Sequence, residues 1–170
     1  MALATALICV SAMISLPLFV PFTLQVLGVY FALFYLGGRR GSVAVLLYIL
    51  IGAMGLPVFS GFSGGVARLF DQTGGFLFGF LILALVYAVL EKFLAGKRMG
   101  RLIAAYISLL SLYAVGSLWY LFLYTEGDLA SYASVLLLTV APFILPDAVK
   151  IILALLLSDR VFLAFNKKTP

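Results

Sequence analysis

Asp147 and Lys150 stand three residues apart inside the apolar stretch 138–157, immediately after Pro146. On a helix that spacing projects both side chains from one face. Ionisable groups at such depth are costly, and they face a bundle interior or a cavity where they pair with each other or with a ligand. A structural ion pair that only orients the helix is the competing reading. A second chemistry-bearing segment is residues 55–75, where Gly64, Gly65, Gly74 and Gly75 interleave with Phe59, Phe62, Ser63, Arg68, Phe70 and Thr73. Glycines let backbone amides approach a bound molecule, and equally allow tight turns with no ligand at all. The Phe rings suit either an apolar lid over a small, partly polar ligand or anchoring of the loop at a membrane interface. Arg68 is a candidate contact for an anionic ligand group, or the partner of Asp71 or of a lipid phosphate. Thr23 and Gln25 follow Pro21 and either donate into the same pocket or cap a helix start.

The elements that must position these residues are membrane helices. Of the 170 residues, 65% are hydrophobic and 10% charged, and the mean hydropathy is +1.25, which describes one integral membrane domain over residues 1–170. A helix needs roughly 20 apolar residues to cross a hydrocarbon core. The candidate runs are 2–20, 22–36, 42–57, 74–90, 102–124 and 129–163, giving an all-α fold of six transmembrane helices with the Gly-rich loop between the third and fourth. Pro142 and Pro146 each remove a backbone donor, so the last run is expected to be kinked or broken near 141–146. The first run lacks a basic leader and is followed by five more, so it reads as a retained helix and not a signal peptide.

Charge orients the bundle. With the N-terminus in the cytoplasm, inner loops hold Arg39, Arg40, Lys92, Lys97, Arg98 and Arg101, and the tail adds Arg160, Lys167 and Lys168, nine of the eleven basic residues. The outer side holds Arg68 with Asp71, Glu126 and Asp128. This asymmetry places both termini in the cytoplasm and accounts for the formal charge of +5 without a nucleic-acid partner. It also gathers the 55–75 loop, the 16–25 connection and the 125–128 turn on the outer face, where a pocket would open. At the N-terminus Ala2, Ala4 and Ala6 form a small-residue face with an Ala-x-x-x-Ala spacing, suited to close packing against another membrane helix.

Several chemistries are excluded. The chain has no His and a single Cys, Cys9, which removes disulfides, CxxC metal sites and imidazole catalysis. Gly61-Phe-Ser-Gly64 is superficially similar to the nucleophile motif of rhomboid intramembrane proteases, but those need a histidine base. No Gly-x4-Gly-Lys-Ser/Thr loop is present for binding ATP, and no carboxylate cluster could hold a catalytic metal. No catalytic residue, metal or cofactor is expected, and energised transport would need partners or an ion gradient.

The motifs Val20-Pro-Phe-Thr-Leu-Gln25, Gly38-Arg-Arg-Gly41, Gly55-Leu-Pro-Val-Phe59, Gly64-Gly65, Thr73-Gly74-Gly75-Phe76-Leu77 with Gly79-Phe80, and Pro146-Asp147-x-x-Lys150 run in order over most of the chain. In them the chain closely resembles BioY, the biotin-specific substrate-binding (S) component of energy-coupling factor (ECF) vitamin transporters. The resemblance implies a six-helix S-component in the prokaryotic cytoplasmic membrane, with an outward pocket for biotin roofed by the first and third outer loops. It implies that Asp147 and Lys150 are the family's polar pair, with the carboxylate accepting from ureido N–H groups and the ammonium pairing with the valerate or holding the aspartate. Gln25, Thr23, Phe59, Ser63, Gly64, Gly65, Arg68, Thr73 and Gly74 complete the expected substrate-binding set. Ala2 and Ala6 match the face that docks on a transmembrane coupling subunit driven by two ATPases. Asp71-Gln-Thr-Gly-Gly75 stands where the family usually reads Gly-Pro-Thr-Gly-Gly, implying a more flexible and more acidic loop. The rival readings are an S-component for another vitamin, a solitary biotin facilitator, and a scaffold that uses the alanine face alone.

Overall fold

The computed structural model describes residues 1–16, 20–94, 98–124 and 131–166. The expected turn at 125–128 and the basic residues Lys97, Lys167 and Lys168 lie outside them. Within the described residues the chain is helical throughout apart from one two-stranded ladder and the long loop. Three helices are long and apolar enough to cross a membrane, Gly74–Leu94, Arg98–Leu123 and Ala141–Ala164, and two shorter apolar helices accompany them.

The first apolar run does not continue as helix to residue 20. Helix α1 (Ala2–Met13) ends where Ile14 turns extended. Strands β1 (Ser15–Leu16) and β2 (Phe22–Thr23) then pair antiparallel, Ser15 opposite Thr23. Proline at 17 and 21 and serine at 15 are poor helix continuations, so the backbone satisfies itself in a ladder. Helix α2 (Gln25–Leu36) follows and stops at Gly37, whose φ of +80° suits glycine. Helix α3 (Gly38–Ala53) begins four residues before the expected third run. The 55–75 loop contains a short Phe59/Ser63 bridge and a single 3-10 turn, Val66–Leu69, before α4 (Gly74–Leu94). Helix α5 (Arg98–Tyr124) is the longest.

The last run divides at Val140, between α6 (Tyr132–Thr139) and α7 (Ala141–Asn166). Pro142 falls in the first turn of α7, where a missing N–H costs little. Pro146 lies inside α7, leaving the Pro142 carbonyl without its usual i+4 donor.

Helix α2 is the centre of the bundle. Val29, Tyr30, Ala32 and Leu33 are fully buried, and α2 packs against α1, α3, α4 and α7. Several polar groups inside are paired across helices, where no water is at hand: the Tyr30 hydroxyl donates to the Ala105 carbonyl at 2.7 Å, Ser42 donates to Ala84 at 2.9 Å, and Thr5 donates to Ala44 at 3.3 Å. Large apolar side chains such as Leu85, Val89, Leu110, Leu145 and Val149 are exposed on the outside, the arrangement of a protein solvated by lipid.

Helix α4 lies against α5 along small residues. A Cβ on Gly75 would stand 2.1 Å from the Trp119 Cβ, and one on Gly79 2.8 Å from the Leu112 Cδ1. Only glycine permits that approach. On α1, Ala2 and Ala6 are exposed while Ala4 is buried. Residues two apart on a helix point nearly opposite ways, so the outward small-residue face consists of Ala2 and Ala6, and Ala4 belongs to the bundle interior.

Candidate functional site

Asp147 and Lys150 lie on the buried face of α7, 3% and 5% exposed. Lys150 Nζ donates to Asp147 Oδ1 at 2.8 Å. The second carboxylate oxygen, Oδ2, accepts from the Tyr113 hydroxyl at 2.9 Å, which ties α7 to α5. The ammonium also sits 4.0 Å from the centroid of the Phe22 ring, and Phe22 stacks on Phe143. A cation on an aromatic face is stabilised without consuming its hydrogen-bond donors. An ionised carboxylate has about four acceptor sites, so the two bonds of Asp147 leave capacity for further N–H groups.

Asp147, Lys150, Tyr113 and Phe143 line a cleft of about 690 Å³, open mouth included, formed between β2, α2, the long loop, α4, α5 and α7. Gln25 enters from the first turn of α2; it is 4% exposed, and its Nε2 has no hydrogen-bond partner. An unsatisfied buried donor costs on the order of 1–3 kcal/mol, so an acceptor supplied by a ligand would recover that loss. Thr23 accepts from the Gln25 backbone N–H at 3.2 Å, which satisfies the start of α2 and leaves its own hydroxyl proton for the cleft. Phe59, Phe76, Phe80, Leu112 and Phe143 form the apolar walls.

Arg68 and Thr73 also line the cleft. Arg68 Nε donates to Ser63 Oγ at 2.9 Å, and its Nη1 is ion-paired with Asp71 Oδ2. Asp71 Oδ1 accepts from both the backbone N–H and the hydroxyl of Thr73. Its carbonyl accepts from Trp119 Nε1 at 3.1 Å. Asp71 therefore braces the segment before α4.

Of the residues expected from sequence, Asp147, Lys150, Gln25, Thr23, Phe59, Arg68 and Thr73 come together around this cleft, whereas Ser63, Gly64, Gly65 and Gly74 are not among its lining. Ser63 supports Arg68 from behind. Gly64 and Gly74 allow close backbone contact instead: an added Cβ would stand 2.2 Å from the Leu56 carbonyl oxygen and 2.0 Å from that of Leu69. Gly65 has a φ of +96°. Tyr113 and Phe143 are additional members, Phe22 packs on Lys150 and Phe143, and nothing in the spacing of an apolar helix singles out Tyr113 among nine tyrosines. Among the described residues no group of three or more Cys, Asp or Glu side chains could hold a metal ion.

Comparison with known proteins agrees with this architecture. A relative in Pyrococcus horikoshii, named as a probable biotin transporter BioY, is 36% identical over 163 residues, covering 94% of this chain and 92% of its own. A biotin transporter BioY2 of Lactococcus lactis subsp. cremoris is 35% identical over 153 residues, covering 89% and 82%. The crystal structure of the S-component for biotin from an ECF-type ABC transporter superposes with a TM-score of 0.79 at 26% identity, over 94% of this chain and 87% of that one. The BioY family model matches residues 1–167, and the chain belongs to the BioY family.

Proposed function

We propose that this protein is the membrane-embedded biotin-binding subunit of an ECF-type ABC transporter, a single S-component domain over residues 1–170. It is not an enzyme. The observation that carries the reading is that one cleft is lined both by an aspartate with spare acceptor capacity and by a buried glutamine amide with no partner. A ureido group offers two N–H donors beside one carbonyl acceptor. Asp147 takes the N–H groups, and Gln25, with the remaining donors of Lys150, takes the carbonyl. The Phe-lined middle receives the thioether ring and the aliphatic chain. The carboxylate then reaches Arg68, which lines the same cleft.

This orientation predicts a difference between biotin and biotinamide, whose tail is neutral. The wild-type protein should prefer biotin by roughly three- to tenfold, because Arg68 is half exposed and shared with Asp71. Arg68→Gln should bring the two ligands to equal affinity in competition binding. An unchanged preference in R68Q would place the carboxylate elsewhere.

Six membrane spans with both termini in the cytoplasm are proposed from the charge asymmetry, α1, α2 and α3 joining the three long helices and the α6/α7 unit forming the last span with its break at Val140. The exposed pair Ala2 and Ala6 then faces a transmembrane coupling subunit associated with two ATPases, in the prokaryotic cytoplasmic membrane. The double variant Ala2→Leu, Ala6→Leu should bind biotin normally and lose most of its co-purification with the coupling subunit, since bulky residues prevent close helix approach. Undiminished complex yield would remove α1 from the docking face.

A further inference from the structure

The outer surface of the α3/α4 pair carries a feature that biotin binding does not use. A groove of about 880 Å³, open along its length, runs between the two helices, walled by Val43, Leu46, Leu81, Leu85 and Val89, with Arg39 and Lys92 at one end. Its floor is set by small residues. A Cβ on Gly38 would stand 2.5 Å from the Ala88 Cα, and Ser42 donates across to the Ala84 carbonyl, so the helices meet there and side chains rise on either side.

The two cations lie where α3 begins and α4 ends, so they share one end of the groove. Both are exposed, and among the described residues neither has a carboxylate within ion-pair distance. The neighbouring acid, Glu91, is engaged elsewhere: one oxygen accepts from the Gly38 N–H at 2.6 Å, and the other faces the Tyr87 hydroxyl at 3.5 Å.

We propose that this groove is a binding site for one anionic glycerophospholipid, its acyl chain along Val43, Leu46, Leu85 and Val89 and its phosphate between Arg39 and Lys92. An apolar track ending in two unpaired cations is complementary to a lipid with a net negative headgroup. A zwitterionic lipid would bring its own cation against them. Basic pockets between transmembrane helices hold acidic headgroups by this chemistry, each cation contributing about tenfold or less. The site lies on the lipid-facing side of α3 and α4 and shares no residue with the biotin cleft, so the two assignments fail or stand separately.

The test uses purified full-length protein in nanodiscs of equal parts phosphatidylglycerol and phosphatidylcholine, with retained lipid measured by native mass spectrometry after mild delipidation. Wild type should retain phosphatidylglycerol over phosphatidylcholine by on the order of tenfold. R39Q/K92Q should lose that preference while R39K/K92R keeps it, and biotin binding by all three should be equal. R160Q, which removes an exposed charge on α7, should behave as wild type. Equal retention of both lipids by wild type would overturn the proposal. So would an undiminished preference in R39Q/K92Q, or a loss in R160Q as large as that in R39Q/K92Q.

Discussion

Asp147→Asn is expected to weaken biotin binding by about a hundredfold or more. The substitution preserves shape and leaves the Tyr113 hydroxyl a partner, but it removes the charge that the ureido N–H groups and Lys150 share. Truncating one member of a buried, hydrogen-bonded charge pair costs about 2–5 kcal/mol in binding, and much of that is the penalty of stranding the other charge. Here the stranded group is an ammonium 5% exposed that, among the described residues, keeps the Phe22 face.

Loss of binding and loss of fold are separable. D147N should lower the melting temperature in detergent as well, because Lys150 is left uncompensated. The double variant Asp147→Asn, Lys150→Met removes both charges, which is often close to neutral for a buried pair. It should recover most of the melting temperature and none of the biotin affinity. If the double variant regained binding along with stability, Asp147 would be a structural residue alone.

The other large effect falls on the seam between α4 and α5. Gly75→Leu should destabilise the protein by about 1–3 kcal/mol, the usual cost of overpacking. A Cβ there would lie 2.1 Å from the Trp119 Cβ and 2.3 Å from its Cγ. The indole must swing away, losing its bond to the Asp71 carbonyl and its contacts with Phe70 and Phe78. Asp71 holds Arg68 and Thr73, so displacement of the indole propagates to the cleft. Thermal unfolding should shift down by roughly 3–10 °C, and biotin affinity should fall even below the transition. A variant with normal melting and normal binding would show that the α4/α5 approach is not tight at Gly75.

The polar part of the cleft was legible because ionisable and amide groups are conspicuous in an apolar chain. Asp147 and Lys150 announce themselves by type and by an i, i+3 spacing, and Arg68, Thr23, Gln25 and Thr73 by being polar in segments next to spans. Of the aromatic part, Phe59 was legible in the loop and the rest was not. Tyr113, Phe22 and Phe143 look like any other lipid-facing or core ring until the helices are packed together.

Glycines were ambiguous for a physical reason, since the same missing Cβ serves ligand approach, positive φ and close backbone contact. Gly64 and Gly74 turned out to serve close backbone contact. Helix ends shifted likewise: hydropathy continues through residue 20, but Ser15, Pro17 and Pro21 end α1 at Met13. The prolines of the last run marked the neighbourhood of a discontinuity, while Val140, with no special residue type of its own, is where the chain leaves the helix.

The most direct measurement is equilibrium binding of biotin to the detergent-purified wild-type protein, with other water-soluble vitamins as controls. Saturable binding of about one biotin per chain, with the controls failing to compete, is the expected result. A monodisperse, folded sample that binds no biotin, or that binds another vitamin more tightly, would contradict it.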